Sequence, residues 1–481
     1  MKLGGSFHIV GLLSIGFSLT MLPPVAVSLW YGDHQSLHFL KAFSIAFICG
    51  LLVWLATRRE DTTLRRKDGF IVVALFWTAL SLLGALPFLF GSHLDFVDAF
   101  FESVSGFTTT GATVITHIEA LPRSMLYYRQ QLQWLGGMGL VVLAVAILPL
   151  LGIGGMRIYQ AETPGPMKDD KITPRLTHSA RALWTIYVLL TATCALSYWL
   201  AGMSPFDAIG HSFSTISTGG FSTHDASIGY FHSETIESVA TVFMLAGGIN
   251  FSIHFLALRD KSVMPYARDI EVRAFLAFVV GSVLLTAAML WRAGLYSGWS
   301  HATVNAYFEV VSIITSTGFG ADDFTQWPLF LPLMLMFISF IGGCGGSTAG
   351  GMKVMRVLLL LKQGTREVQS LIHPRSIKPI KIGGRALSEH TVEAVWGFFA
   401  VYIVVFAVLT LAMMATGLDQ VSAFAAIATS LNNLGPGLGE VAYTFAGVTS
   451  AGKLISATAM LLGRLEIFTI LVLFTPSFWL E

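Results

Sequence analysis

The chain has 481 residues, 54% of them hydrophobic and only 12% charged, with a formal net charge of +1. That charged share is about half of what a water-facing domain carries, which excludes an ordinary soluble globular surface. The net charge by itself says nothing about partners; the apolar share makes membrane lipid, and not nucleic acid, the expected surroundings.

About 20 helical residues cross the ~30 Å hydrocarbon layer of a bilayer. Apolar stretches of that length predict spans near residues 8–30, 38–57, 69–90, 130–152, 181–202, 236–257, 269–291, 328–361, 393–417 and 452–479. The first is too long for a signal-peptide core and has no small-residue cleavage site after it, so it is read as a retained helix. Four shorter apolar segments, near 95–108, 205–217, 303–315 and 419–432, are too short to cross and read as re-entrant. Cys49, Cys194 and Cys344 lie inside apolar segments without a partner at disulfide or metal-ligand spacing, and are read as structural thiols.

Basic residues gather in alternate linkers. Arg58, Arg59, Arg65, Arg66 and Lys67 follow the second span, and Arg157, Lys168, Lys171, Arg175 and Arg181 follow the fourth. Arg259, Lys261, Arg268 and Arg273 come next, and a further eight lie between Lys353 and Arg385. With Lys2, this puts 23 of the 29 Lys and Arg on one side, which predicts that both termini are cytoplasmic. The opposite linkers carry carboxylates, among them Asp95, Asp98, Asp207, Asp322, Asp323, Asp419 and Glu440. These either raise the local cation concentration or simply keep the loops wet.

The short segments repeat one another. FFESVSGFTTTG runs to Gly111, AIGHSFSTISTG to Gly219, YFEVVSIITSTG to Gly318 and FAAIATSLNNLG to Gly435. A second landmark follows 24 to 28 residues later, at Gly136–Gly139, Gly247–Asn250, Gly342–Gly345 and Gly463–Glu466. Each unit is a long helix, a short helix, a polar loop and another long helix, which is a pore-forming arrangement. The expected fold is therefore an all-α multi-pass membrane protein: two N-terminal transmembrane helices (1–60) and four pseudo-symmetric repeats (69–155, 181–260, 269–362 and 390–481) around one pore.

A dehydrated cation needs oxygen ligands, which backbone carbonyls aimed at an axis supply. Aiming them takes unusual dihedrals that glycine reaches without a clash. Thr109, Thr110, Ser217, Thr218, Ser316 and Thr317 add hydroxyls, while Asn432 and Asn433 add amides. Short helices ending at mid-membrane would point partial negative charge at a cation. Small residues beside glycine also let helices pack closely, but four copies in register favour a filter.

TTTGAT, STGGFS, TSTGFG and NNLGPGLG, with GGCGGSTAGGMK and LGRLEIFTILVLFTPSFW, resemble the TrkH/KtrB family of potassium uptake proteins over nearly the whole chain. The two extra N-terminal helices fit the TrkH branch. The resemblance implies that a potassium ion is held at Thr110 and Gly111, Thr218 and Gly219, Thr317 and Gly318, and Leu434 and Gly435. In the fourth repeat Asn432, Asn433 and Leu434 replace the hydroxyl residues, so the pore is only pseudo-fourfold. The resemblance also implies a homodimer docked on a cytoplasmic, nucleotide-binding TrkA-type ring in a bacterial inner membrane.

The span near 328–361 would be ~50 Å long as one helix, and its middle holds Gly342, Gly343, Gly345, Gly346, Gly350 and Gly351. A break is expected there, lining the pore as a gate or serving close packing; in the family this segment obstructs the path. Arg464 stands where the other repeats have Gly137, Gly248 and Gly343. A charge at that depth is read as a barrier beneath the filter or as one half of a structural ion pair. No nucleophile motif supports an enzyme: His211, His254 and Ser212 lack one. Channel-like conduction is favoured over proton- or sodium-coupled symport because no acidic residue stands mid-span as a relay.

Overall fold

The computed structural model describes residues 3–59, 66–147, 176–296, 298–328, 330–374, 379–382 and 385–480. The basic positions Lys2, Arg65, Arg157, Lys168, Lys171, Arg175, Arg375 and Lys378 lie outside the described residues.

The chain folds as an all-α, multi-pass membrane protein. Among the described residues, six helical stretches are long and apolar enough to cross a bilayer: Gly4–Tyr31, Ser36–Thr57, Asp68–Gly91, Arg181–Leu200, Ile270–Arg292 and Thr391–Ala415. Among the described residues, β structure is confined to one antiparallel pair, Lys381–Ile382 with Arg385–Ala386.

The first two stretches form an antiparallel pair held by glycine. A Cβ at Gly50 would fall 2.9 Å from both the Gly11 carbonyl and the Ile15 amide nitrogen, so the two backbones touch where a side chain would separate them. Asp33, in the turn between them, accepts from Ser28 Oγ at 2.6 Å and from the Ser124 amide at 2.9 Å. Burial works against its charge, but these bonds prevail and hold the carboxyl below its usual range.

The four short apolar segments are helices: Phe96–Phe107, Pro205–Ile216, Trp299–Ile314 and Gln420–Asn432. Three start on a side-chain cap. Asp95 accepts from the Asp98 amide, Ser204 from the Asp207 amide, and Asp419 from the amides of Val421 and Ser422. The wet, acidic rim therefore receives the N-termini, and all four C-terminal turns are buried.

The inner helices of the repeats are unequal. Arg123–Ile147 runs unbroken through Gly136–Gly139. The spans expected as single helices near 236–257 and 452–479 are each two: Glu234–Gly248 meets Phe251–Arg259 at 98°, and Ser450–Arg464 meets Phe468–Phe474 at 103°. In the first of these the Asn250 side chain accepts from the Ser252 amide, starting a new helix two residues after Gly248. The break expected in 328–361 is present, with Phe330–Ser339 and Val354–Ile372 joined by non-helical residues 340–353.

Gly50→Leu is expected to lower the stability of the purified protein by about 1–3 kcal/mol, because the helix pair must separate to admit it. A melting curve in detergent unchanged from the parent would refute the close approach.

Candidate functional site

At the inner end of each short helix the chain makes the same two hydrogen bonds. The amides of Thr110, Gly219, Thr317 and Leu434 donate to the carbonyls of Ser105, Ser214, Ser312 and Thr429 at 2.8, 2.8, 2.8 and 2.9 Å. The amides of Thr109, Thr218, Ser316 and Asn433 donate to Gly106, Thr215, Ile313 and Ser430 at 3.0 to 3.3 Å. These four residues are left-handed, with φ of 56°, 51°, 53° and 54°. Two residues on, Gly111, Gly220, Gly318 and Gly435 are left-handed too, with φ of 83°, 79°, 79° and 95°.

This register differs in the second repeat from the one expected. Gly220, not Gly219, matches Gly111, Gly318 and Gly435, while Gly219 matches Thr110, Thr317 and Leu434. Ser217 falls one residue before the matched stretch, beside Thr108, Thr315 and Asn432, and its Oγ donates to the Ser214 carbonyl at 3.2 Å. With two adjacent glycines the sequence fits either register; only the backbone bonds distinguish them.

The four stretches close a ring. A Cβ at Gly111 would lie 2.1 Å from the Gly219 carbonyl oxygen, one at Gly220 2.0 Å from that of Thr317, and one at Gly318 2.0 Å from that of Leu434. One at Gly435 would lie 2.8 Å from the carbonyl oxygen of Thr110, back in the first repeat. Each repeat thus presses a glycine against the next repeat's carbonyl, in chain order.

The asparagine side chains tie the fourth stretch to its neighbours. Asn432 Oδ1 accepts from the Tyr402 hydroxyl at 2.6 Å, and its Nδ2 donates to Ser339 Oγ at 2.9 Å. Asn433 Nδ2 donates to Thr110 Oγ1 and to the Met460 carbonyl, both at 3.0 Å, which joins the fourth repeat to the first. In the first and third repeats hydroxyls pair locally, Thr108 with Thr110 at 2.8 Å and Thr315 with Thr317 at 2.7 Å.

Nine residues before Gly111, Gly220 and Gly318 stand Glu102, His211 and Glu309, all buried. Glu102 accepts from the Val114 amide at 3.1 Å and from Arg129 at 2.8 Å, with both side chains of that ion pair fully buried. Glu309 accepts from the amides of Ala321 and Asp322 at 2.8 and 3.2 Å. The His211 Nε2 lies 2.9 Å from Ser222 Oγ. From the first inner helix, Gln133 Nε2 donates to the Gly219 carbonyl at 2.5 Å while its Oε1 accepts from the Phe221 amide at 3.0 Å. These supports were missed in the sequence, although the matched glutamates of FFESVSG and YFEVVSI, polar residues in apolar helices, were a visible signal.

Residues 340–353 lie beneath the ring and touch the second, third and fourth repeats. The Gly350 amide donates to Ser316 Oγ at 2.5 Å and the Gly351 amide to the Asn432 carbonyl at 3.2 Å. Thr348 Oγ1 donates to the Ile216 carbonyl at 2.9 Å. The Arg464 guanidinium donates to the carbonyls of Thr348 at 3.0 Å and of Gly136 at 2.9 Å, and lies 5.6 Å from the Trp77 ring. Glu466, two residues after Arg464, pairs with Arg356 at 2.7 Å. Gly342, Gly346 and Gly351 are left-handed, with φ of 71°, 74° and 73°, whereas Gly343 is held close against the Gly248 carbonyl.

Residues 35–480 match the model of TrkH, a family of cation transport proteins. The chain belongs to that family. It is similar to the Trk system potassium uptake protein TrkH of Salmonella typhimurium, 53% identical over 98% of this chain and 99% of that one. Trk system potassium uptake protein TrkG of Escherichia coli is 42% identical over 98% of both chains. Among solved structures, the potassium transporter TrkH from Vibrio parahaemolyticus superposes with a TM-score of 0.91 at 50% identity, covering 100% of each chain. Relatives named for transport point to a transporter rather than an enzyme.

Gly220→Ser is expected to damage ion discrimination more than Gly219→Ser. The first forces a side chain onto a backbone carbonyl at positive φ, whereas the second meets a side chain, the amide of Gln133, and no backbone. Relative permeability to potassium and sodium in the two variants checks this; equal losses would refute the shifted register.

Proposed function

We propose that the chain carries potassium into a bacterial cell across the cytoplasmic membrane, through a filter built from Thr109–Gly111, Thr218–Gly220, Ser316–Gly318 and Asn433–Gly435. Each of the segments 69–155, 181–260, 269–362 and 390–481 contributes one quarter of the pore. The closed ring of glycine-to-carbonyl contacts carries this reading, because it brings four non-helical stretches to one point at membrane depth. Non-helical backbone is tolerated there only where it is buried in protein or lines a watery path. Four helix C-termini converge on the ring and favour a cation.

The loop 340–353 and Arg464 form the gate. The loop occupies the space below the ring, and a positive charge beneath a cation filter raises the barrier to passage. Conduction is channel-like: the buried carboxylates nearest the filter, Glu102 and Glu309, are engaged as braces for Val114, Ala321 and Asp322 rather than spaced as a proton relay. The protein works as a homodimer with both termini in the cytoplasm. Its basic linkers face a TrkA-type nucleotide-binding ring, which regulates opening.

Potassium flux through the purified protein in liposomes tests the reading. Gly318→Ser and Gly435→Ser are expected to reduce discrimination against sodium, with unequal losses because the fourth repeat lacks the hydroxyls. Arg464→Ala is expected to raise unstimulated flux about tenfold, the effect of removing roughly 1.4 kcal/mol of barrier. Unchanged selectivity in both glycine variants would overturn the filter, and a reversal potential that follows the proton gradient at fixed potassium would replace conduction by symport.

A further inference from the structure

The loop beneath the filter is attached in two different ways. Its middle, Ser347–Gly351, meets the ring through the contacts of Thr348, Gly350 and Gly351. Its base meets a single carboxylate oxygen. Glu271 Oε1 accepts from the Gly345 amide at 2.9 Å and from the Met355 amide at 3.1 Å, one on each side of the segment that underlies the filter. Glu271 sits in the first turn of Ile270–Arg292, a helix outside the broken span, and is buried. The Val354 amide donates to the Gly343 carbonyl at 3.0 Å and the Cys344 amide to that of Gly248 at 2.9 Å, so the base is closed on itself and on the neighbouring repeat.

Left-handed glycines mark both limits of that middle: Gly346, at φ 74°, precedes it, and Gly351, at φ 73°, is its last residue. Glycine changes between left- and right-handed backbone without a side-chain penalty, so rotation is cheapest there. A carboxylate bond to a backbone N–H is roughly twice as strong as a neutral one, so the base is the costlier part to displace.

We infer that Glu271 is the anchor of the loop, a positioning residue that pins both ends of the base and confines opening to a swing of Ser347–Gly351 about Gly346 and Gly351. The helix Val354–Ile372 keeps its place while the middle leaves the ring. This rests on the loop being the barrier, as proposed above.

Glu271→Ala, Glu271→Gln and Arg464→Ala are compared for unstimulated potassium flux in liposomes. The same Glu271 variants are made in protein lacking Cys49 and Cys194, where the buried Cys344 beside Gly345 reports exposure of the base to a thiol reagent. Glu271→Ala is expected to raise both flux and Cys344 labelling at least about tenfold, as for a lost hydrogen bond to a charged group. Glu271→Gln keeps an acceptor oxygen without the charge and is expected to raise both by less than Glu271→Ala, a graded outcome that loss of folding would not give. Raised flux in Arg464→Ala with unchanged flux and labelling in Glu271→Ala would overturn the anchor and leave the gate standing. Unchanged flux in both Arg464→Ala and Glu271→Ala would overturn the gate, and the anchor with it.

Discussion

Backbone polar groups inside a bilayer must find partners within the protein, at a cost of several kcal/mol for each one left over. The ring of four left-handed stretches departs most visibly from helical self-satisfaction, and the surrounding fold answers that departure. Amides of the ring return to the ends of the short helices through Thr110, Gly219, Thr317 and Leu434. The segments that follow the ring are braced by Glu102, Glu309 and Gln133. Glycine appears where these groups must come close: a Cβ at Gly136 would fall 1.8 Å from the Phe107 carbonyl, and one at Gly463 2.1 Å from that of Leu431. The glycines of the second landmark thus let the short helices rest directly on the inner ones.

The same constraint produces asymmetry. The Glu102–Arg129 pair lies in the first repeat, fully buried and extended by bonds to Thr113 and the Ser222 carbonyl. Such a pair adds little net stability, but losing one partner strands a charge at a cost of about 3–5 kcal/mol, which makes the arrangement specific. The fourth repeat has Ala426 at the matching place and uses asparagine cross-links to Tyr402, Ser339 and Thr110 instead. The third spends its inner helix on the loop, and Arg464 of the fourth joins that loop to the first. Symmetry at the ring coexists with four different supports.

Much of this was legible in the chain. Hydrophobic length marked the six uninterrupted spans, and polar starts such as Asp95 and Asp419 agreed with where the short helices begin. The six glycines between Gly342 and Gly351 signalled the broken helix because no apolar helix tolerates that many. Less legible were the bends at Ile249 and Leu465, since both lie within apolar runs that read as continuous spans. Whether Gly248–Asn250 bends or Gly136–Gly139 stays straight depends on what packs against each, which local propensity does not register.

The sequence by itself determined the membrane class, the fourfold repetition and the stretches able to leave helical geometry, because each depends on local chain length, polarity or the freedom of glycine. Tertiary structure alone decided that Gly220 rather than Gly219 completes the ring, that Asn432 and Asn433 are cross-links, and that Glu271 spans the base of the loop. Those outcomes turn on hydrogen bonds between residues up to several hundred positions apart, such as Asn433 with Thr110, whose partners are fixed only once the repeats close around a common point.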